Sequence, residues 1–415
     1  MYCGLDFGTS NSALGVVDNA GKVRLCPLEE GRETMPSALF YYTDDARVTY
    51  GRQAVQDYLE GEDGRLMRSI KSVLGTSLMD EATRIGSRNY PFKSVIGDYL
   101  ARVKATAEAL TEKKLTHVVH GRPVNFVDGD EAANLRAETA LREIALDVGF
   151  KEITFLPEPV AAANDFVNET KNSCLALVVD MGGGTSDFTL LQVNPQADGL
   201  ADYEVLANYG VRLGGTNLDQ QLSLAKVMPL FGSGAPLQRA GLDAPNWVYS
   251  MLSSWPEINF LYSAKYRQDL KWVIENGADE ALFERLQTVI EEQLGHRVAH
   301  HVELAKIALG DQEVVDVDLG YVETGLVGQV LQAEIATDLA QSFDRLDEAL
   351  SETLTRGTCK ADQVGVVVLT GGTTGMPAIR ARIQERFPDA TLMDQDAFGS
   401  VCTGLTLEAR KTFGS

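Results

Sequence analysis

The sequence has few cysteines and no long apolar run, and both absences limit the class of protein. No apolar stretch approaches the ~20 residues that a membrane-spanning helix needs, and Met1 leads directly into a short strand-like pattern without a signal peptide. No two cysteines form a Cys-x-x-Cys pair, which disfavours a thiolate metal site. The sequence therefore predicts a cytoplasmic protein with reduced thiols and no membrane partner. The cysteines are Cys3, Cys26, Cys174, Cys359 and Cys402.

Basic residues are also scarce relative to acidic ones. The 37 lysines and arginines stand against 59 aspartates and glutamates, so the formal net charge is −22 at pH 7. Nucleic acids and anionic membranes are bound through lysine and arginine contacts to phosphates, and this charge disfavours both as partners. A chain of 415 residues with 44% hydrophobic content is too long for one ordinary core, which predicts two or more globular domains.

The chain does contain a glycine-rich stretch between two apolar segments, residues 176–191, ALVVDMGGGTSDFTLL. This order predicts a strand, a tight glycine turn and an antiparallel return strand. Glycines let backbone N–H groups close around a phosphate. Asp180 and Asp187 at the edges of the turn suit a Mg²⁺ ion bound beside phosphate oxygens. The alternative is an ordinary glycine-rich hairpin with two solvated acids.

A second stretch near the start of the chain, residues 5–14, LDFGTSNSAL, repeats the same order. Residues 214–216 and 371–373, both Gly-Gly-Thr, resemble the two turns more weakly. Repetition of a phosphate-binding hairpin argues against the ordinary hairpin. It predicts two similar lobes that close on one nucleotide.

Four motifs resemble those of the actin-like ATPase superfamily and, within it, the heat shock protein 70 chaperones. They are residues 4–12, 157–163, 180–187 and 368–377. Their order and spacing match along nearly the whole chain, whereas residues 227–297 match poorly. The resemblance implies an α/β actin-like ATPase fold in which each of two lobes has a ribonuclease-H-like mixed sheet flanked by helices and an inserted subdomain. The chain resembles a short form of these chaperones, similar to their nucleotide-binding domain alone.

The resemblance and the shifts of composition divide the chain into seven segments. These are the lobe I core with the first phosphate hairpin (1–38), its inserted subdomain (39–112), the lobe I core continued (113–175), the lobe II core with the second phosphate hairpin (176–226), its helical inserted subdomain (227–311), the lobe II core continued with an adenosine loop (312–395) and a C-terminal helix that returns to lobe I (396–415).

The resemblance also implies a slow, Mg²⁺-dependent hydrolysis of ATP to ADP and phosphate, driven by positioning and charge neutralisation. Lys71 would reach toward the γ-phosphate and the attacking water, and Asp187 or Asp180 would accept the proton of that water beside Thr185. Asp6, Glu158 and Asp180 would hold Mg²⁺, largely through water, with Glu158 also in the catalytic set. The residues implied to contact the nucleotide are Gly8, Thr9, Ser10, Asn11, Gly182, Gly183, Gly184, Thr185, Gly214, Gly215, Glu303, Lys306, Gly371, Gly372 and Thr373.

Several of these side chains also have ordinary structural interpretations. Lys71 could be a solvated surface lysine, and Glu158 a carboxylate that stabilises a helix N-terminus. Glu303 and Lys306, implied to bond the ribose hydroxyls, could belong to an exposed helix face.

Apolar periodicity predicts where the helices lie. The predicted ranges are 53–59, 99–113, 130–148, 217–226, 279–294, 297–309, 329–352 and 377–386. His296 and His300 are four residues apart, which on a helix is a possible metal spacing. Because no third ligand is recognisable, we interpret both as surface or packing histidines.

Two departures from the chaperone pattern affect the expected function. Ile307 and Gly375 occupy positions at which the family usually has arginines around the adenine, and the loss of both stacked guanidinium groups predicts ATP binding weaker by about tenfold or more. The sequence ends at Ser415 without the apolar linker that precedes a peptide-binding domain in the chaperones, so ATP-driven peptide clamping is not expected.

The leading hypothesis is a chaperone-like ATPase whose nucleotide state switches a protein client or a co-chaperone-like partner. The alternatives are a sugar-type small-molecule kinase of the same superfamily, for which no substrate base is recognisable, and a nucleotide-gated filament or scaffold protein.

Overall fold

The structure is a computed structural model that describes residues 1–44, 47–169, 173–195, 201–239, 241–395 and 399–414. Internal contacts divide the chain into two compact units. Unit 1 comprises Met1–Gly214, Leu346–Thr374 and Arg380–Ser415, and unit 2 comprises Gly215–Arg345 and Gly375–Ile379. None of the helices in these described ranges is both long enough and apolar enough to span a bilayer.

In chain order, the strands are β1 (Tyr2–Phe7), β2 (Asn11–Val17), β3 (Val23–Leu25), β4 (Thr34–Pro36), β5 (Ala38–Tyr42), β6 (Val48–Tyr50), β7 (Gly64–Arg68), β8 (Ala82–Ile85), β9 (Arg88–Pro91), β10 (His117–Arg122), β11 (Glu152–Pro157), β12 (Cys174–Met181), β13 (Ser186–Pro195), β14 (Ala201–Val211), β15 (Val314–Asp318), β16 (Val327–Leu331), β17 (Val366–Thr370) and β18 (Thr391–Asp394).

The helices are α1 (Gly51–Leu59), α2 (Phe92–Thr111), α3 (Glu131–Asp147), α4 (Glu158–Glu169), α5 (Gly215–Lys226), α6 (Asn246–Leu252), α7 (Ile258–Leu261), α8 (Ala264–Glu275), α9 (Glu280–Glu291), α10 (Gly295–Ala308), α11 (Ile335–Asp338), α12 (Ala340–Arg356), α13 (Pro377–Arg386) and α14 (Ser400–Phe413). Short 3₁₀ helices occur at Ile70–Val73, Ser77–Asp80, Met228–Phe231, Gln332–Glu334, Ala361–Gln363 and Gly372–Gly375.

Two mixed sheets of unit 1 follow the same plan. The first has the order β11-β10-β1-β2-β3, with β4 also paired to β2, and the second has the order β14-β13-β12-β17-β18. In each sheet an antiparallel meander (β1-β2-β3 or β12-β13-β14) continues into parallel strands (β10-β11 or β17-β18). Mixed sheets flanked by helices confirm the predicted actin-like α/β fold class. The seven-segment division of the chain stays a prediction.

Helices α4 and α14 contribute small residues to a buried core of unit 1. Ala161, Ala162 and Ala163 of α4 are fully buried and cluster with Leu405 of α14 and with valines from β10, β12 and β17. A Cβ added at Gly404 of α14 would overlap the carbonyl oxygen of Ala161. The absence of a side chain at this position therefore lets the two helix backbones approach closely.

The structure confirms most predicted elements and corrects one. The two glycine hairpins form as expected, with β1 antiparallel to β2 and β12 antiparallel to β13. The helix predicted over residues 329–352 is wrong in its first part, because Val327–Leu331 is a strand paired with β15. Buried and exposed residues alternate along this strand, which is the period of a sheet and not of a helix. The main helix of this stretch begins at Ala340.

Candidate functional site

The two glycine hairpins of unit 1 present their turns to each other. Residues 8–10 connect β1 to β2, and residues 182–185 connect β12 to β13. A Cβ added at Gly184 would lie 2.5 Å from Thr9 Oγ1, and one added at Gly183 would overlap the Ser10 hydroxyl. The turns therefore touch, and glycine is required at their contact.

Two further glycine segments of unit 1 reach the second turn. A Cβ at Gly214 would lie 2.5 Å from the backbone nitrogen of Gly184. Thr373 Oγ1 donates a hydrogen bond to Gly182 O at 2.8 Å, and Gly371 adopts a φ of +81° against Met181 and Asp180. Unlike the two hairpins, both segments continue into helical structure, at Gly215–Lys226 and Gly372–Gly375.

Gly8 and Asn11 close the first turn. A Cβ at Gly8 would overlap the carbonyl oxygen of Asn11, so this position also excludes a side chain. Ser37, the residue between β4 and β5, donates from its hydroxyl to Gly8 O at 2.7 Å and from its backbone N to Ser10 O at 2.9 Å. The turn is therefore fixed from one side by a buried serine.

A buried ion pair lies in the same unit. Lys71 Nζ is 2.6 Å from Glu158 Oε1, and the two residues are 5% and 8% exposed. Lys71 is carried by the 3₁₀ helix Ile70–Val73, and Glu158 is the first residue of α4. A buried charge pair is only weak evidence of stabilisation, because desolvation opposes the Coulombic attraction. The pairing excludes the interpretation of Lys71 as a solvated surface lysine.

Asp6, Asp180 and Asp187 lie in the same buried environment as this ion pair, and the acidic groups there outnumber the basic ones. Burial is the main cause that raises the pKa of Asp6 and of Asp180 well above the usual range, and the charge of Glu158 is the second. Lys71 opposes both shifts but does not cancel them. Four carboxyl groups thus share one ammonium group, which favours either bound protons or a bound cation.

Asp187 faces Asp180 across the hairpin, since the two residues are direct partners in the β12–β13 register. Burial, and then the charge of Glu158, raises the pKa of Asp187 to about 8. Its Oδ1 accepts a hydrogen bond from the backbone N of Val124 at 2.7 Å, which fixes the orientation of the carboxyl group. A carboxyl group with a pKa near neutrality is suited to exchange a proton.

The donor set of Asp6, Glu158 and Asp180 fits Mg²⁺, a cation that prefers oxygen ligands and keeps several waters. Within the described ranges, no three acidic, histidine or cysteine side chains are arranged to coordinate a metal directly. That these carboxylates hold the ion through water stays a prediction from the resemblance.

Two of the predicted nucleoside-contact residues of unit 2, Lys306 and Gly215, are in contact with each other. Lys306 Nζ lies 2.7 Å from Asp219 Oδ1 and donates to Gly215 O at 3.0 Å. Glu303 Oε2 is 3.6 Å from His300 Nδ1 on the same helix. Lys306 is thus engaged in unit 2 itself, and Asp219 is a partner that the sequence analysis did not identify.

His296 is a packing residue, in agreement with its interpretation from the sequence. It is 1% exposed, its ring packs against that of Trp255, and its Nε2 is 3.2 Å from Trp255 O.

Besides the contact of Asp219, sequence reasoning missed two contacts near Asp187 and Lys71. The amide of Val124 orients Asp187, and Arg212 Nη2 donates to Ser72 O beside Lys71. Both contacts use a backbone group, and they join residues 63 and 140 positions apart. No local pattern signals either of them.

Comparisons with known proteins identify relatives of the whole chain. A family model described as Hsp70 protein matches residues 2–225 and 282–410. The interruption overlaps the stretch in which the sequence motifs match poorly. The chain is also similar to the chaperone protein DnaK of Carsonella ruddii (strain PV), with 23% identity over 439 aligned positions that cover 98% of this chain and 62% of that protein. The chain therefore spans less than two thirds of the length of this relative.

Proposed function

Because the chain belongs to the Hsp70 family, we propose that it binds ATP with Mg²⁺, hydrolyses it slowly to ADP and phosphate, and acts as a nucleotide-driven switch. The observation that carries the proposal is the buried pair of Lys71 and Glu158 among the carboxyl groups of Asp6, Asp180 and Asp187. Such an arrangement has little structural purpose, since four acids around one lysine oppose folding.

In this proposal the two touching turns bind the β- and γ-phosphates. Thr9, Ser10 and Thr185 supply hydroxyl donors, and the backbone of Gly8, Asn11 and residues 182–184 supplies N–H groups. Lys71 orients the γ-phosphate and the attacking water. Asp187, whose pKa is raised to about 8, accepts the proton of that water, with Asp180 as the alternative acceptor. Bound Mg²⁺, held by Asp6, Glu158 and Asp180 through water, neutralises phosphate charge.

The remaining predicted contacts belong to the same proposal. The residues that the resemblance implies for the nucleotide, Gly214, Gly215, Glu303, Lys306, Gly371, Gly372 and Thr373, stay part of this proposal. A protein client or a co-chaperone-like protein is the proposed partner and a cytoplasmic location is the proposed setting. Family membership favours the chaperone-like ATPase over the sugar-type kinase and over the filament protein.

The test is the release of γ-phosphate from ATP by the purified protein with Mg²⁺. We expect slow release that falls to a small residual rate in Lys71→Ala and is strongly reduced in Thr185→Ala, because each variant removes a group that positions the γ-phosphate or the water. Lys93→Ala is the control, since this exposed lysine pairs with Glu143 at the surface.

A panel of sugars separates the proposal from the kinase. Release that rises steeply with one sugar would indicate a kinase, and ATP binding without release, together with pelleting at high protein concentration, would indicate a scaffold. Either outcome contradicts the proposed switch ATPase.

A further inference from the structure

Arg212 connects three segments of unit 1. It is the first residue after β14, and its backbone N donates to Asp128 Oδ1 at 2.7 Å in the segment between β10 and α3. Its guanidinium Nη2 donates to the carbonyl oxygen of Ser72 at 2.8 Å. One residue thus ties the end of β14 both to that segment and to the turn that carries Lys71.

The turn that carries Lys71 depends on support from outside. It is a single turn of 3₁₀ helix, and isolated short turns have little stability of their own. It follows Ser69, whose φ of 56° lies in the left-handed region that disfavours residues other than glycine. Inside the turn, Ser72 Oγ donates to Ser69 O at 2.6 Å and Leu74 N donates to Lys71 O at 3.1 Å.

The position of this turn sets the position of the Lys71 ammonium group. Lys71 Nζ is 2.6 Å from Glu158 Oε1, and both side chains are buried. The bonded carbonyl of Ser72 is one residue from Lys71, so a shift of the turn is transmitted directly to the lysine. Phosphoryl transfer depends on positioning, and a misplacement of ~1 Å lowers rates by up to about 100-fold.

We propose that Arg212 is a positioning residue for ATP hydrolysis. It promotes hydrolysis by fixing the Ser72 carbonyl and thereby the turn that carries Lys71. The inference rests on the proposed ATPase function and adds a residue to which no nucleotide contact is assigned. A guanidinium suits this role because hydrogen bonds from a charged donor are roughly twice as strong as those between neutral groups.

The first measurement needs no nucleotide. Hydrogen exchange of the amides of residues 69–76 is compared between the wild-type protein, Arg212→Met and Arg212→Lys. We expect exchange to become at least about fivefold faster in Arg212→Met, because the turn loses an external hydrogen bond. Arg212→Lys retains a charged donor and should restore part of the protection. Unchanged exchange in Arg212→Met would overturn the inference.

The matched control is Arg142→Met. Arg142 Nη1 makes the same kind of bond, to Ile153 O at 2.8 Å, and it lies in the same unit. This variant should leave the exchange of residues 69–76 and the rate of phosphate release unchanged. It therefore separates a loss of one arginine bond in general from the loss of the bond at the Lys71 turn.

The second measurement asks whether Arg212 acts through Lys71. Arg212→Met should lower the rate of γ-phosphate release by about tenfold and change the affinity for a fluorescent ATP analogue by less than about twofold. Introduced into Lys71→Ala, it should cause no further loss, because the group that it positions is already absent.

The outcomes distinguish this inference from the proposed function. An equal loss of rate in both backgrounds, or weaker ATP binding with an unchanged rate, contradicts the positioning role alone. A wild-type protein that releases no phosphate contradicts the proposed function, while the exchange measurement still decides whether Arg212 holds the turn.

Discussion

At the scale of single residues, Asp187 combines a proposed catalytic role with a cost in stability. Its pKa is about 8 in the folded protein and about 3.8 in the unfolded chain. Between these values the folded state holds a proton that the unfolded state releases. The wild-type protein should therefore lose stability as the pH rises from about 4 to about 8, by on the order of 1.4 kcal/mol for each unit of pKa difference.

Asp187→Asn should remove the contribution of this residue to the pH dependence, because the amide is neutral at every pH and its oxygen can still accept the bond from Val124 N. We expect the variant to be more stable than the wild type at pH 9 by about 2 kcal/mol or more, and this difference should shrink as the pH is lowered toward 4. Urea unfolding at pH 9, 7.5 and 6 measures it. Its ATP hydrolysis should fall by at least about tenfold.

Asp316→Asn, at an exposed position of β15, is the control and should change neither property. Equal stability of wild type and Asp187→Asn at every pH would show that the burial of the Asp187 carboxyl group does not destabilise the folded protein.

Much of the residue-level arrangement was predictable, because it follows from strand register. Asp180 and Asp187 flank a turn of known length, so the antiparallel hairpin had to place them opposite each other. The contact partners of these side chains were harder to predict from the sequence. Val124 acts through its backbone N, and Asp219 contacts Lys306, which lies 87 positions further along the chain. Neither partner has a sequence pattern of its own.

At the scale of elements, the close approach of α4 and α14 gives a prediction in which two effects oppose each other. Alanine is favoured over glycine in a helix by about 1 kcal/mol, so propensity alone predicts that Gly404→Ala stabilises the protein. The added Cβ would overlap the carbonyl oxygen of Ala161, and overpacking of this kind costs about 1–3 kcal/mol. We expect the steric effect to win and the variant to be destabilised in chemical denaturation.

Gly375→Ala is the matched control for this substitution. A Cβ at Gly375 would meet no atom within 4 Å, and its φ is not in the left-handed region, so its effect should be within about 0.5 kcal/mol. A stabilised Gly404→Ala would mean that the helices separate at little cost.

The elements that the sequence misassigned show which signals are weak. Residues 329–352 contain enough helix-forming side chains to predict one long helix, yet Val327–Leu331 pairs with β15. A five-residue strand in a two-stranded sheet is decided by its partner strand and not by its own composition. The glycine hairpins were predictable because a strand, a turn and a return strand are local in sequence.

At the scale of the whole molecule, the fold class was predicted from the resemblance of the motifs, and the repeated glycine hairpin is found in two sheets of the same plan. The contact of Arg212 with Ser72 could not be predicted from the sequence, since it joins residues 140 positions apart. Local motifs identify which groups take part in a site. Long-range contacts that hold those groups in place become visible only when the chain is folded.

The charge of the whole chain determines how it should respond to nucleotide. A net charge of −22 repels free ATP, and Asp6, Asp180 and Asp187 offer its phosphates no positive charge, so binding should require a divalent cation. MgATP at 100 times its Kd stabilises a protein by about 2.7 kcal/mol, which should raise the unfolding temperature by several degrees. We expect no comparable rise with ATP in EDTA or with Mg²⁺ alone.

The same thermal shift measures how far the base contributes. Ile307 is 63% exposed and Gly375 has no side chain, so neither position offers a guanidinium to stack on a purine. MgGTP should therefore raise the unfolding temperature nearly as much as MgATP, because phosphate contacts supply most of the affinity. Ile307→Arg should increase the shift with MgATP. A wild-type protein that responds to MgATP and not to MgGTP would show that the base is recognised by groups other than these two positions.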